Sequence, residues 1–183
     1  MILWCASLFT LPSLHAQTVP GTGAETGSIG SAAVNCLVIT PIGITKVKDM
    51  SFGAIVTGNA GSVILSPDLN SVSTSGSVKT EASRGVVSAA VFEVNDGTPE
   101  GSTQHFYAGY SITLPTVDVT LVSQEGATMR VGNFTSSPSA SGAGTFTNGK
   151  GVLAVGATLY VNANQAIGKY ASTAPFPVTV NFY

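Results

Sequence analysis

The stretch 176–183, Phe-Pro-Val-Thr-Val-Asn-Phe-Tyr, decides the fold, because its apolar and polar residues alternate without interruption. Phe176, Val178, Val180 and Phe182 fall on one face of an extended chain, and the intervening residues fall on the other. A period of two with one apolar face is typical of a half-buried β-strand. We expect its partner to come from an earlier stretch or from another chain. That choice separates a self-contained module from a building block of a fibre.

The composition predicts an all-β protein that tolerates self-association. The 183 residues suffice for one domain with a sizeable core. Charged residues make up 9% of the chain, against about a quarter in ordinary globular proteins. The 21 glycines, together with abundant Ser, Thr and Val, favour strands and tight turns. A net charge of −2 without a basic cluster excludes nucleic acid and anionic membrane surfaces as partners.

Residues 1–16 are predicted to be a secretion signal. Ile2–Leu14 is mostly apolar, and Leu14-His15-Ala16 resembles a cleavage site before Gln17. The run is shorter than the ~20 apolar residues of a transmembrane helix, and no other stretch is long enough. No Lys or Arg precedes it, which leaves open whether Met1 is the true start. We therefore expect a secreted protein that crosses the bacterial periplasm, without a transmembrane segment.

Two segments with different patterns follow the signal. Residues 17–31 are rich in Gly, Thr, Ser and Ala and are predicted to form a flexible arm. Residues 32–40 are apolar and β-branched on both faces, which is typical of a strand buried between layers or inserted into a groove. One face carries Val34, Cys36 and Val38, and the other carries Ala33, Leu37 and Ile39.

Short strands separated by turn residues are predicted for the remainder of the domain 32–183. The predicted strands are 44–48, 51–56, 62–66, 77–80, 86–94, 105–114, 117–123, 129–134, 144–147, 151–161 and 175–183. Asn148-Gly149 suits a type I′ hairpin turn, since both central residues need a positive φ. Many short strands at this spacing indicate a sandwich or barrel.

Several stretches, taken in order, resemble a family of secreted bacterial β-domains of unknown function. They are ITPIGITK at 39–46, DMSFGAIV at 49–56, VILSPD at 63–68, YSITLP at 110–115, VGATLYV at 155–161 and ANQAIGKY at 163–170. The resemblance covers nearly all of residues 32–183. The closing Gly168-x-Tyr170, followed by the alternating strand, also resembles spore coat protein U domains and chaperone–usher pilins.

The resemblance implies an immunoglobulin-like antiparallel β-sandwich completed by strand complementation. In chaperone–usher pilins the sandwich lacks its last strand, and the N-terminal extension of a neighbour fills the groove. The matching segments here are 17–40 as donor and 175–183 as one wall of the groove. The donor would lie nearer 32–40, because 17–31 lacks alternating apolar residues, and the single mature Cys36 departs from pilins that carry a disulfide. The implied donor residues are Val34, Cys36, Val38, Leu37 and Ile39, and the implied groove residues are Phe176, Val178, Val180 and Phe182.

Residues that could carry chemistry are few, and structural interpretations are favoured for them. Cys36 and His105 could form a nucleophilic pair, but a buried small Cys and a strand-edge His are favoured. One Cys and one His exclude a usual zinc site. Asp96 and Glu100 could bind Ca²⁺, although a solvated turn is favoured. Tyr170 is a candidate for a corner that bonds back to the backbone.

Two further patterns have a chemical and a structural interpretation. Residues 144–151 come within one residue of a phosphate-binding loop, but a hairpin turn is favoured because no helix follows. Tyr107 and Tyr110 form no obvious platform for a sugar. The leading hypothesis is a non-enzymatic subunit of a surface fibre without cofactors, which joins pilin-like subunits and passes a periplasmic chaperone. The alternatives are a self-complemented surface module, for example a glycan-binding one, and, least favoured, an enzyme.

Overall fold

The structure is a computed structural model that describes residues 30–36, 38, 42–56, 58–68, 71–99 and 101–183. The chain divides into two compact units, Met1–Cys36 and Leu37–Tyr183. In the first unit, residues 30–36 are exposed and lack regular secondary structure. The predicted signal at 1–16 and the arm up to 29 lie outside the described residues. Every strand named below belongs to the second unit.

The second unit contains fifteen described strands and, within the described residues, no helix. The strands are β1 Gly43–Lys48, β2 Ser51–Phe52, β3 Ala54–Val56, β4 Gly61–Leu65, β5 Val72–Gly76, β6 Lys79–Glu81, β7 Val87–Ser88, β8 Ala90–Asn95, β9 Gly109–Thr113, β10 Val119–Ser123, β11 Thr128–Ser137, β12 Ala143–Thr145, β13 Lys150–Val161, β14 Tyr170–Ser172 and β15 Thr179–Phe182. All pairs are antiparallel. The all-β prediction is confirmed.

The largest sheet is organised around the twelve-residue strand β13. Its order is β1-β8-β13-β11-β10-β14, and β4 and β5 extend it beside the second half of β13. β8 pairs with Lys150–Val155 of β13, and β4 pairs with Thr158–Val161. A separate three-stranded sheet has the order β12-β9-β15, and β2-β7 and β3-β6 form two short ribbons. Layered antiparallel sheets of this kind fit a sandwich.

The core lies on one face of β13, where alternate side chains point inward. These are Leu153, Val155, Ala157, Leu159 and Val161, and none exposes more than 3% of its surface. One buried cluster joins the second half of β13 to β4 and β11. The other joins its first half to β8 and to Tyr110 and Ile112 of β9. The three-stranded sheet therefore packs over one end of the large sheet.

Local turn chemistry agrees with the sequence at the β12–β13 hairpin. Asn148 and Gly149 have φ values of 52° and 76°. The backbone N–H groups of Thr147 and Lys150 donate to each other's carbonyl oxygens across the turn. Two consecutive positive φ values define the predicted type I′ turn. Residues 144–151 therefore form the hairpin turn that the sequence favoured over a phosphate-binding loop.

Several strand predictions need correction. β5 and β14 were not predicted, because their residues are mostly polar and exposed. The predicted strand 51–56 is broken at Gly53, which has a φ of 71°, and 86–94 is broken at Ala89. The predicted strand 105–114 begins only at Gly109. In the described parts of the chain, no helix is long and apolar enough to cross a membrane.

Candidate strand-binding groove

The floor of a large groove is formed by β10, β11 and β13. Alternate residues of these strands turn toward it: they are odd-numbered up to the bulge in β11, after which Phe134 takes that position. The floor residues are Val119, Leu121, Met129, Val131 and Leu159. Met129, Val131 and Leu159 belong to the first buried cluster, and Val119 and Leu121 pack against it. The floor is thus part of the hydrophobic core: Met129, Val131 and Leu159 are buried, and Val119 and Leu121 are half-buried.

The two rims of the groove come from opposite ends of the unit's sequence. One rim is residues 50–55, which carry β2 and β3, and the other is residues 168–176, which contain β14 and lead toward β15. The enclosed volume is about 990 Å³, at the upper end of the range for small-ligand pockets. Charged groups stand only at its edge, where Lys46 forms an exposed 2.6 Å ion pair with Asp49 and Lys169 is exposed. The groove therefore suits a large apolar occupant.

The strand β15 has one unpaired edge. Tyr183 and Gly109 exchange two backbone hydrogen bonds, at 3.2 and 3.3 Å. Hydrogen-bonded pairs alternate along an antiparallel ladder, so the Asn181 and Thr179 backbones also face β9, in the observed register. The N–H and C=O groups of Val180 and Phe182 then point away from β9. Among the described strands, none pairs with that side.

The predicted alternation of residues 176–183 is present in the folded chain. Phe176, Val178, Val180 and Phe182 are half-buried and pack against the second core cluster, while the intervening residues are exposed. Of these four predicted groove residues, Phe176 lines the groove. Its ring centroid lies 5.1 Å from that of Phe134. The side chains of the other three pack against the second core cluster, beside the groove.

The rim at β14 is held by Tyr170. Its hydroxyl donates to the carbonyl oxygen of Ala166 at 2.7 Å and accepts from Nε2 of Gln165 at 2.8 Å. Gln165 Nε2 also donates to the carbonyl oxygen of Thr128 at 3.1 Å. A Tyr hydroxyl that bonds to backbone a few residues upstream is the corner expected from the sequence, and the prediction is confirmed. It ties the rim to the start of β11.

In the predicted donor segment, the residues that the structure describes pair with no strand in this single chain. Val34 and Val38 are 96% and 83% exposed, and Cys36 is exposed, whereas the sequence favoured a buried Cys. Residues 32–36 and 38 are not in a strand. Leu37 and Ile39 lie outside the described residues. When a partner covers large aliphatic side chains that are this exposed, the free energy of the system falls, which favours the complex.

The turn after β8 holds a buried carboxylate that the sequence favoured as solvated. Asp96 is fully buried, accepts a 2.8 Å hydrogen bond from the Thr98 N–H, and lies 3.3 Å from Nδ1 of His105. Burial raises the pKa of the Asp96 carboxyl, but the hydrogen bonds from Thr98 and the neighbouring His105 together lower that pKa below its ordinary value. Nδ1 of His105 is thus engaged in a hydrogen bond with Asp96. Glu100, the second predicted Ca²⁺ ligand, lies outside the described residues.

The described contacts of this Asp–His pair include no nucleophile aligned with the imidazole. In a catalytic triad the carboxylate and the nucleophilic hydroxyl contact opposite nitrogens of the imidazole. Here the Thr98 hydroxyl lies 3.4 Å from Nδ1, the same nitrogen that faces Asp96. In the described residues, no group of three or more His, Cys, Asp and Glu side chains could hold a metal ion. Tyr110 is fully buried beneath the hairpin and donates to the carbonyl oxygen of Val152 at 3.3 Å.

Comparison with known proteins gives one finding at the level of the family. A search of curated proteins and a search of solved structures both returned no match. The model of a family described as Domain of unknown function (DUF4402) matches residues 42–182. The match spans the groove, its rims and β15. The chain therefore belongs to the DUF4402 family.

Proposed function

We propose that the chain is a secreted, non-enzymatic structural subunit of a bacterial surface fibre, whose groove accepts segment 32–40 of a second copy by β-strand addition. One observation carries the proposal: a large groove runs over the core, and β15, toward which one of its rims leads, has an unpaired edge. An added strand would use both features, because its backbone would pair with the edge and its side chains would fill the groove.

The chemistry of the donor segment matches the groove. The outward groups of Val180 and Phe182 supply main-chain donors and acceptors, which provide affinity without regard to side chains. Val34, Cys36 and Val38 recur every second residue, so all three face the floor together when the segment is extended. Each large aliphatic side chain that becomes fully buried contributes roughly 1.5–3 kcal/mol. The segment carries no charged residue that the apolar floor would have to desolvate.

Export is part of the same proposal. The apolar run within residues 1–16 directs the chain to the periplasm, and the fibre forms at the cell surface. The unpaired edge of β15 and the exposed Val34 and Val38 make the monomer prone to aggregation before assembly. A periplasmic chaperone whose strand pairs with the groove during transit would prevent this aggregation, and it is the partner that we propose. The subunit itself requires no cofactor.

The test uses surface material sheared from producing cells and separated on a denaturing gel with and without boiling. The expected result is a ladder of multiples in the unboiled lane that collapses to one band on boiling. Val38→Glu abolishes the ladder while secreted monomer persists, because a carboxylate cannot be buried on the floor. Val152→Glu is the matched control, since Val152 is also exposed but lies on the outer face of β13.

A peptide of residues 32–40 gives a second readout. Added to purified full-length monomer, it raises the melting temperature in proportion to its concentration, since a ligand of the folded state stabilises that state. The same peptide with Glu in place of Val38 does not. A single monomer band in both gel lanes, with no response to either peptide, would refute the fibre and indicate a self-complemented surface module.

A further inference from the structure

We propose that the outer face of β10, β11 and β13 carries a binding site for a neutral carbohydrate, centred on Arg130. Val119, Leu121, Met129, Val131 and Leu159 line the groove, and the alternate residues Thr120, Arg130 and Tyr160 lie on the opposite face of the same strands. The outer side holds a hollow of about 280 Å³, whose polar lining is Asp118, Thr120, Thr128, Arg130, Tyr160 and Asn162, with Met129 as its one apolar member. The two sites share Met129, but the polar side chains of the hollow lie on the face of the strands opposite to the groove.

The polar side chains at this site form one continuous chain of contacts across three strands. Arg130 Nη1 donates to Asp118 Oδ2 at 2.5 Å. The Arg130 guanidinium lies 4.0 Å above the ring centroid of Tyr160. Asn133 Nδ2 donates to the Tyr160 hydroxyl oxygen at 2.6 Å. The strand register places Thr120, Arg130 and Tyr160 in one cross-strand row.

The backbone around these groups is shaped to permit the contacts. Asn133 has a φ of 48° at the point where the β11–β13 register shifts, and this bulge re-aims its side chain. A Cβ at Gly132 would collide with Asp118 Oδ1, so glycine lets the carboxylate reach across β11. The side chains of Arg130 and Asp118 are nevertheless 58% and 37% exposed. The groups are therefore preorganised yet open to solvent, which favours ligand binding.

The chemistry of the site selects a neutral polyol. Asp118 and Arg130 neutralise each other, so neither a cation nor an anion finds a net countercharge. The Asp118 carboxylate only accepts hydrogen bonds and the Arg130 guanidinium only donates them. Adjacent sugar hydroxyls both donate and accept, and they suit such a mixed pair. The Tyr160 hydroxyl, which accepts from Asn133, keeps its own hydrogen to donate. The volume lies at the small end of ligand sites, which fits one or two sugar rings.

The test is saturation-transfer NMR on the full-length protein with methyl glycosides of mannose, galactose, glucose and N-acetylglucosamine, and with glucuronic acid as a charged comparison. A glycan array then extends the panel. We expect at least one neutral sugar to bind and glucuronic acid to bind less. Asp118→Asn and Tyr160→Phe each weaken binding by about tenfold or more, since a hydrogen bond to the ligand is lost or weakened.

The matched control is Glu93→Gln. Glu93 lies on the outer face of β8 and forms a 3.7 Å ion pair with Lys150 on β13, so the substitution also removes an exposed carboxylate from a cross-strand pair. It leaves sugar binding unchanged. The proposal is overturned if no sugar of the panel or array binds, or if D118N binds as tightly as E93Q. It is also overturned if D118N alone changes the oligomer size, which would make this face a protein contact. Groove assembly is unaffected by D118N, so failure here is distinguishable from failure of the fibre.

Discussion

Phe134 of β11 and Phe176 of the opposite rim lie with their ring centroids 5.1 Å apart and their planes inclined by 36°. Both rings line the groove. Phe134 also packs against both buried clusters, whereas Phe176 packs against the second alone. The contact therefore joins the floor to the rim that leads into β15. It is one tie between that rim and β11.

The two rings should contribute to stability as a coupled pair. We expect Phe134→Ala to lower the free energy of unfolding by about 3 kcal/mol and Phe176→Ala by about 2 kcal/mol, since both rings are half-buried. The double variant should lose less than the sum, by ~0.5–1.5 kcal/mol, because the aromatic contact is counted in both single variants. Urea denaturation of the four proteins measures the coupling. Phe106→Ala paired with Phe176→Ala serves as the uncoupled control, and strict additivity of the first pair would contradict the prediction.

The Tyr170 corner should govern rim order. Tyr170→Phe removes the hydroxyl that bonds Ala166 and Gln165, and we expect a loss of about 1 kcal/mol in unfolding free energy, the net contribution of such bonds. Tyr183→Phe is the matched control, because its hydroxyl makes no hydrogen bond within the described chain. Hydrogen exchange of the 163–172 amides should rise in Tyr170→Phe alone. Equal exchange in both variants would show that the corner does not order the rim.

The sequence predicted those features that depend on neighbours along the chain. The alternation at 176–183, the Asn148-Gly149 turn and the Tyr170 corner are each encoded within a few residues. β5 escaped prediction because its residues, Val-Ser-Thr-Ser-Gly, carry no apolar face. It is a strand only because β4 offers it a ladder partner. The burial of Asp96 escaped because its surroundings include residues distant in sequence, His105 and the hairpin at Gly149.

The groove could be predicted only in part. Apolar odd positions in β10, β11 and β13 indicate a buried face, but they do not indicate which segment covers it. The pattern at 32–40 resembles a covering strand, yet its described residues are unpaired in the single chain. The outer site at Arg130 was even harder to predict from the sequence. Its members are separated by up to 44 positions, between Asp118 and Asn162, and only the strand register assembles them.

Gly149 should be sensitive to substitution for two separable reasons. Its φ of 76° is unfavourable for any residue with a Cβ, and a Cβ there would lie 2.7 Å from Asp96 Oδ1. Gly126 has a φ of 83° with open space around it, so Gly126→Ala reports the backbone cost alone. We expect Gly126→Ala to cost about 1 kcal/mol and Gly149→Ala about 2–3 kcal/mol by thermal or urea unfolding. Equal costs would mean that the hairpin yields to relieve the contact with Asp96.

Asp96 should make the free energy of unfolding fall at low pH. Its pKa in the folded chain is lowered, because hydrogen bonds from Thr98 and His105 outweigh the opposing effect of burial. A lowered folded pKa means that the stabilisation is fully present above the unfolded pKa, about 3.9 for Asp, and is lost as the pH falls through the folded value. Asp96→Asn cannot titrate, so the stability difference between wild type and variant should shrink as the pH is lowered from about 5 to about 2. Glu81, whose pKa is also lowered by Ser83, is present in both proteins and forms a shared background. Urea denaturation across this range measures the difference, and a pH-independent gap would show that Asp96 is stabilised equally in its protonated form.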